Sequence, residues 1–78
     1  MRKLKLIWDF KGPDSLETAR HHLLHLDEYV QQNQIVILKS GTEPITANHH
    51  IAYVACLEST VTILRDSLKP RRAQLFTE

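Results

Sequence analysis

The sequence is poor in several residue types whose abundance would define a protein class. It contains one cysteine, two glycines and three prolines among 78 residues. A single cysteine, Cys56, cannot form an internal disulfide, which excludes a disulfide-stabilised secreted scaffold and favours a reducing compartment. The first residues lack the apolar core of a signal peptide, and no run approaches the roughly 20 apolar residues that cross a membrane. We therefore expect a cytoplasmic protein, with a bacterial origin as the default.

An excess of one sign of charge is also lacking. Ten lysines and arginines stand against nine aspartates and glutamates, which leaves a net charge of +1 with the five histidines neutral. Such a balance gives no electrostatic reason to expect nucleic acid as a partner. A hydrophobic fraction of 42% is ordinary for a globular chain, and 78 residues suffice for one small core. We predict a single domain over residues 1–78, with neither nucleic acid nor a membrane as partner.

The clearest element that is present is a helix predicted between Asp14 and Asn33. Asp14 follows a Gly-Pro pair and precedes Glu17 by three residues, which is the spacing of a capping box. Polar residues end the pattern, and Asn33 is suited to a left-handed cap. On a period of about 3.6 residues, the apolar side chains collect in one narrow stripe, formed by Leu16, Ala19, Leu23, Leu26 and Val30. We expect the helix to bury this stripe against a sheet.

Three of the five histidines lie on this helix, away from the apolar stripe. His21 and His25 are four residues apart and project opposite to the stripe, while His22 lies on its flank. Two histidines at this spacing can ligate one metal ion from one helical face, so a divalent transition metal is a candidate cofactor. The alternative is that His21 and His25 are solvated polar residues, because no cysteine or carboxylate at ligand spacing completes the set.

Strands are predicted on both sides of the helix. Residues 3–10 alternate between polar and apolar, which is the pattern of a half-buried strand. Its inner face would carry Leu4, Leu6, Trp8 and Phe10. The β-branched residues 34–39 predict a second strand. Residues 40–48 contain Gly41 and Pro44, and they are expected to form a loop of about ten positions, a length that often carries function.

The last part of the chain is expected to add two strands and a helix. Residues 51–57 form a third strand that is apolar on both faces, within which Cys56 is predicted to be buried and not nucleophilic. Ser59 is predicted to cap a second helix, although the β-branched start of residues 60–69 makes a strand a competitor there. Residues 71–76 are expected to form an edge strand.

This order of elements is that of a ferredoxin-like α+β fold, βαββαβ. An antiparallel four-stranded sheet, ordered 4-1-3-2, would carry both helices on one face, and right-handed crossovers favour that arrangement. The open face would carry Ile7 and one of two sets of residues from the third strand: Ile51, Tyr53, Ala55 and Leu57, or Ala52, Val54 and Cys56. Because an apolar open face is unfavourable in water, we predict a homodimer through it; the alternative is a modest patch that needs no partner.

The predicted topology gathers polar residues at one edge of the sheet. They are Asp9, His49, His50, Arg71 and Arg72. A carboxylate, imidazoles and guanidinium groups together suit acid–base chemistry or the recognition of an anion. As neighbours on a strand, His49 and His50 must point to opposite faces, so at most one joins a given site. The ligand-binding candidates are the two histidines and the two arginines, and a small-molecule ligand is left open.

Three segments resemble those of a family of small bacterial proteins. They are LIWDFKGPD at residues 6–14, TARHHLLHL at residues 18–26, and GTE at 41–43 followed by HIAY at 50–53. This resemblance covers most of the chain and implies no particular activity. More distantly, the helix with His-Leu, the following strand and Ser-Gly-Thr resemble the YciI-like group of the dimeric α+β barrel superfamily. That resemblance implies a ferredoxin-like protomer, dimerisation through the sheet face and a His–Asp site, for which His25 with Asp9 is the nearest pair.

Three functions follow from these observations. The first is a homodimeric binding or interaction domain whose activity the sequence does not name. The second is a small YciI-like enzyme that uses an acid–base site, with Asp9, His22, His25 and His50 as catalytic candidates. The third is a transition-metal-binding protein that uses His21 and His25.

Overall fold

The computed structural model of the chain describes residues 2–77, which form one antiparallel sheet and two helices. In chain order the elements are β1 Lys3–Lys11, α1 Ser15–Gln32, β2 Lys39–Thr46, β3 His49–Leu57, α2 Glu58–Leu68 and β4 Arg72–Leu75. The strand order is β2-β3-β1-β4 and all neighbouring strands are antiparallel. The predicted ferredoxin-like α+β fold is therefore confirmed, including the positions of β1 and β3 at the centre of the sheet.

The sheet has two faces, because successive side chains of a strand point to opposite sides. The face under the helices, which we call the covered face, holds the main core: Leu6, Trp8, Ala52, Val54 and Cys56 pack with Leu26 and Val30 of α1 and Leu64 of α2. The face without helices, which we call the open face, carries a separate buried cluster of Ile7, Ile51 and Tyr53. Of the two sets that the sequence allowed for β3, the set containing Tyr53 faces the open side.

The predicted apolar stripe of α1 is buried or partly buried, but the predicted caps at the two ends of the helix are not formed. Ala19, Leu26 and Val30 are buried, while the other two stripe residues are partly buried. Asp14 occupies the N-cap position, yet its side chain makes no capping hydrogen bond. Instead the hydroxyl of Thr18 donates to the Asp14 carbonyl oxygen at 3.0 Å.

At the other end of α1, Gln34 and not Asn33 adopts the left-handed conformation, with a φ of 55°. The amide of Ile35 donates to the carbonyl of Val30, and that of Gln34 donates to Gln31. These two bonds form a Schellman cap, in which the apolar residue after the turn packs back on the helix. Ile35 does so, because it lies against the main core.

The second strand lies later in the chain than predicted. Residues 34–38 are not a strand, because the Schellman cap sends Ile35 and Ile37 into the core as a connection. The strand instead begins at Lys39 and runs through Gly41 and Pro44. Since β2 is an edge strand, Pro44 can be accommodated without breaking the sheet.

The predicted loop over residues 40–48 is therefore wrong. Only residues 47–48 form a turn between β2 and β3, so the two strands make a hairpin. The register between them shifts between Pro44 and Thr46, which marks a β-bulge at Ile45. The carbonyl of Asn48 accepts the amide of Gly12 at 2.7 Å and ties the hairpin to the start of α1.

Helix α2 is confirmed over the competing strand. Leu64 is buried, and Val61 and Leu68 pack against the core at helical spacing, which outweighs the β-branched start. The helix begins at Glu58, so Ser59 is not its cap residue. The indole N–H of Trp8 donates to the carbonyl of Leu68 at 2.9 Å and fixes the helix end on the sheet. Neither α1 nor α2 is long and apolar enough to cross a membrane.

Candidate functional site at one end of the open face

Three side chains converge at one end of the open face. Nε2 of His49 lies 2.8 Å from Oδ1 of Asp9. Nε and Nη2 of Arg72 donate to Oδ2 and Oδ1 of the same carboxylate, both at 3.0 Å. We call these three residues the Asp9 cluster. Because an ionised carboxylate only accepts hydrogen bonds, the Nε2 atom of His49 carries the hydrogen in this contact.

The sheet register produces this arrangement. Asp9 lies on the central strand β1, between β3 and β4. His49 pairs with Lys11, two residues beyond Asp9, and Arg72 pairs with Ile7, two residues before it. Residues two apart on a strand share a face, so Asp9 receives one neighbour from each side at diagonal positions.

The electrostatics of the cluster favour an ionised Asp9. The hydrogen bond from Arg72 lowers the pKa of the Asp9 carboxyl from 3.8 to about 2, the hydrogen bond from His49 acts in the same direction, and partial burial opposes them. The pKa of Arg72 is raised in return by its hydrogen bond to Asp9. The side chain of Asp9 is 15% exposed and that of Arg72 is 47% exposed. Asp9 is thus covered by its partners, while Arg72 still reaches solvent.

A concavity of about 400 Å³ opens over the cluster. Its lining consists of charged and polar residues only: Asp9, Lys11, His49, Arg71 and Arg72. Three of these side chains are cationic at neutral pH and one is anionic, so the concavity has an excess of positive charge. Such a set suits the binding of a carboxylate or phosphate group, and a carboxylate-held imidazole beside it suits proton transfer.

A second, larger concavity of about 530 Å³ lies towards the other end of the open face, with Lys5, Glu43 and Tyr53 in its lining. Lys5 pairs with Glu43, and its Nζ lies 4.4 Å from the centroid of the Tyr53 ring. A Cβ atom on Gly41 would lie 3.1 Å from Oη of Tyr53, so the ring packs directly on this glycine. Lys5 and Glu43 neutralise each other and Lys39 adds one positive charge to the lining, so this concavity has a smaller excess of positive charge than the one over the Asp9 cluster.

The apolar residues at the centre of the open face are less exposed than the sequence predicted. The sequence predicted an apolar open face that would be exposed without a partner, but Ile7, Ile51 and Tyr53 are each at most 6% exposed in the single chain. The paired side chains of Lys5 and Glu43 cover the tyrosine. The expected bare apolar face is therefore absent at the centre of the sheet. Dimerisation through this face stays a prediction.

His50 does not belong to the Asp9 cluster. As predicted, it points to the face opposite to that of His49, and its Nδ1 lies 2.7 Å from the hydroxyl of Ser15. Ser15 is the first residue of α1 and is buried. His50 therefore contacts the start of the helix, and of the two neighbouring histidines only His49 is brought to Asp9.

His22 also lies on the covered side. Its ring centroid is 5.5 Å from that of Trp8 and 5.3 Å from that of Phe10. Burial lowers its pKa, and the nearby His25 and His21 add to this effect. Among residues 2–77, Nε2 of His22 is the buried side-chain nitrogen that has no hydrogen-bond partner. His22 is thus a neutral, half-buried histidine away from Asp9.

His21 and His25 are exposed, as predicted, on the outer side of α1. Their Nε2 atoms are 3.1 Å apart, and Nδ1 of His25 lies 3.8 Å from Oε1 of Glu28. The pair of His25 with Asp9, which the YciI-like resemblance suggested, is not formed. Within residues 2–77 no three or more His, Cys, Asp or Glu side chains are grouped so as to hold a metal ion.

Sequence reasoning identified most of this site and missed part of it. It gathered Asp9, His49, His50, Arg71 and Arg72 at one edge, but it named His50 as the catalytic candidate near Asp9, whereas His49 is the histidine that contacts Asp9. It did not include Lys11, although strand alternation places Lys11 on the same face as Asp9. Cys56 is buried, as predicted, and burial raises its pKa, which disfavours the reactive thiolate form. Comparison of the chain with family models, curated proteins and solved structures finds no match.

Proposed function

We propose that this protein is a binding domain that takes a small anion, a carboxylate or a phosphate group, at the Asp9 cluster. The observation that carries the proposal is the state of Arg72. Its Nε and Nη2 are held by Asp9, yet 47% of the side chain stays exposed. The guanidinium is thus fixed in orientation while its remaining N–H donors are accessible to a ligand, and fixed guanidinium groups bind carboxylates and phosphates through paired hydrogen bonds.

The surrounding charges support the same proposal. Lys11 and Arg71 line the concavity beside Arg72, so an incoming anion meets more positive than negative charge. Asp9 contributes by orienting Arg72 and His49, since its carboxylate is already occupied by both. An anion with several acceptor oxygens would satisfy these donors better than water does, because charge-assisted hydrogen bonds are the stronger kind.

The test is a titration of the full chain with inorganic phosphate and, separately, with succinate, at constant ionic strength. Amide chemical shifts in NMR spectra report the binding site and the affinity. We expect shifts around residues 9, 49 and 72, and a loss of about ten-fold or more in affinity for Arg72→Gln, the size of one charged hydrogen bond. Arg65→Gln is the matched control, because Arg65 is an exposed arginine on α2 whose side chain pairs with the exposed Asp66, away from the Asp9 cluster. Equal affinity in the two variants would exclude the Asp9 cluster as the site.

An acid–base enzyme is the second candidate, and the contact between His49 and Asp9 supports it. A carboxylate that accepts from one imidazole nitrogen fixes the tautomer and leaves the other nitrogen, here Nδ1, able to take a proton. A YciI-like activity would then use His49 with Asp9, in place of His22, His25 or His50. We would assay p-nitrophenyl acetate and p-nitrophenyl phosphate: turnover that His49→Gln abolishes supports the enzyme, and hydrolysis at the rate of buffer alone supports the binding domain.

A homodimer through the open face is kept as a separate proposal. It is supported by exposed apolar residues at the margin of that face, such as Leu57 at the end of β3, which is 36% exposed. Light scattering of a dimer would give twice the chain mass of 9.0 kDa. Leu57→Asp should weaken it, whereas Ile63→Asp, on the exposed side of α2, should not. A mass of one chain at high concentration would remove the proposal. Cytoplasmic location and bacterial origin stay predictions.

A further inference from the structure

Two histidines on the exposed side of α1 take no part in the proposed anion site. His21 and His25 are four residues apart on the helix, and their rings meet edge to face with centroids 4.6 Å apart. The two Nε2 atoms are separated by 3.1 Å. Without a metal ion this contact requires that Nε2 of one ring carries a hydrogen and that Nε2 of the other ring accepts it.

The separation of the two nitrogens matches that of two ligands on one metal ion. Two imidazole nitrogens bound at about 2.0–2.1 Å lie about 3.3 Å apart when the angle at the metal is tetrahedral. A shift of a few tenths of an ångström in two exposed side chains would therefore bring both Nε2 lone pairs onto one ion. Because both residues lie on one helix, the backbone already fixes the two ligands relative to each other.

Glu28 lies on the side of His25 that faces away from His21. Its Oε1 lies 3.8 Å from Nδ1 of His25, the ring nitrogen that does not face His21. This distance is too long for a hydrogen bond, but the negative charge on that side favours a hydrogen on Nδ1, which leaves Nε2 as the ligand atom. In His21, too, Nε2 is the nitrogen that faces the other ring, so Nε2 is the ligand atom of both histidines.

We propose that His21 and His25 form a two-histidine site that binds one divalent transition metal ion on the surface of α1. Since residues 2–77 offer no third His, Cys, Asp or Glu in place, water or an external donor fills the other positions, and the site is open to exchange. With two imidazole ligands, affinity should follow the general order of these metals, with Cu²⁺ above Ni²⁺ and Zn²⁺. This proposal does not depend on the anion site on the other side of the sheet.

The experiment is a calorimetric titration of the full chain with Cu²⁺ and with Ni²⁺, combined with electron paramagnetic resonance of the Cu²⁺ complex. We expect one ion per chain, a signal from two imidazole nitrogens, and a loss of about ten-fold or more in affinity for His21→Ala or His25→Ala. Neither substitution should change the melting temperature of the metal-free protein, because both side chains are exposed.

Two control variants make the result specific. Arg20→His combined with His21→Ala keeps the number of histidines on α1 but places the pair five residues apart, on different sides of the helix, so it should bind no better than His21→Ala. His49→Gln tests the Asp9 cluster as the metal site and should leave metal affinity unchanged. Undiminished binding in His21→Ala, or binding that is lost in His49→Gln, would overturn the proposal without bearing on phosphate binding.

Discussion

The two faces of the sheet are built from the same strands and bury their apolar residues in different ways. Leu6 and Ile7 are neighbours on β1 and each is 1% exposed. Leu6 is covered by the apolar side chains of two helices, whereas Ile7 lies in a three-residue cluster among charged side chains of the open face. Low exposure therefore does not say what covers a residue. The few apolar residues of an open sheet face can be buried within one chain, without a covering helix or a second copy.

The largest test of this comparison is a pair of truncations on β1. We expect Leu6→Ala to lower the free energy of unfolding by about 3–4 kcal/mol and Ile7→Ala by about 2 kcal/mol, as measured by urea unfolding. The difference arises because packed helices collapse poorly around a cavity, while long polar side chains can move over one. A loss at Ile7 equal to or larger than that at Leu6 would show that the open face is packed as rigidly as the covered one.

A second test concerns the charges that cover the open face. Asp9→Asn should cost about 1–2 kcal/mol near pH 6, because Arg72 and His49 then lose an ionised acceptor. The folded pKa of Asp9 is about 2 and its ordinary value is 3.8. The contribution of its ionisation is therefore complete above about pH 5, and it is lost as the pH falls through 3.8 towards 2.

Urea unfolding of the wild type and of Asp9→Asn at pH 6 and pH 2.5 measures this directly. The gap between the two proteins should shrink at the lower pH. Asp66→Asn is the control, since Asp66 is an exposed carboxylate that pairs with the exposed Arg65, and it should have little effect at either pH. A gap for Asp9→Asn that is the same at both pH values would mean that the cluster does not stabilise the fold through ionisation.

The smallest expected effect concerns the covered face, where a buried polar atom of His22 has no hydrogen-bond partner. Nε2 of His22 is buried without a partner, while Trp8 and Phe10 surround its ring. We expect His22→Leu to raise the free energy of unfolding by about 1 kcal/mol, because it removes an unpaired polar atom and keeps the packing. Thermal unfolding in metal-free buffer measures the gain, with His21→Leu as an exposed control. A clear loss of stability would show that His22 has a polar partner in solution.

Most of the fold could be predicted because most elements obey one strong local pattern. Alternation defined β1, and the apolar stripe defined α1. The prediction of the second strand was wrong because two local signals were misleading. Residues 35–37 are β-branched but follow a helix cap, whereas Gly41 and Pro44 are typical of turns but lie on an edge strand. Tertiary context overrides local preference at such places.

The sequence predicted which residues lie near one another in the site, but it did not predict which of them are in contact. Topology alone brings Asp9, His49 and Arg72 to one end of the sheet. Which of the two adjacent histidines meets Asp9 depends on which face of β3 lies on the open side of the sheet, and alternation does not decide this because β3 is apolar on both faces. The sequence left both sets of β3 residues open, and it named His50 and not His49 as the catalytic candidate near Asp9.

The turn between β2 and β3 consists of residues 47 and 48, so a change in its length should matter as much as a change in its composition. His49 and His50 begin β3 directly after it, one facing Asp9 and the other facing Ser15. Loss or gain of a single residue before them would either move β2 along β3 or exchange the sides of the two histidines. The bulge at Ile45 is a place where one residue can be absorbed without that exchange. Insertions and deletions between the bulge and β3 would thus act as functional mutations, and evolution should tolerate them less readily than substitutions in the same segment.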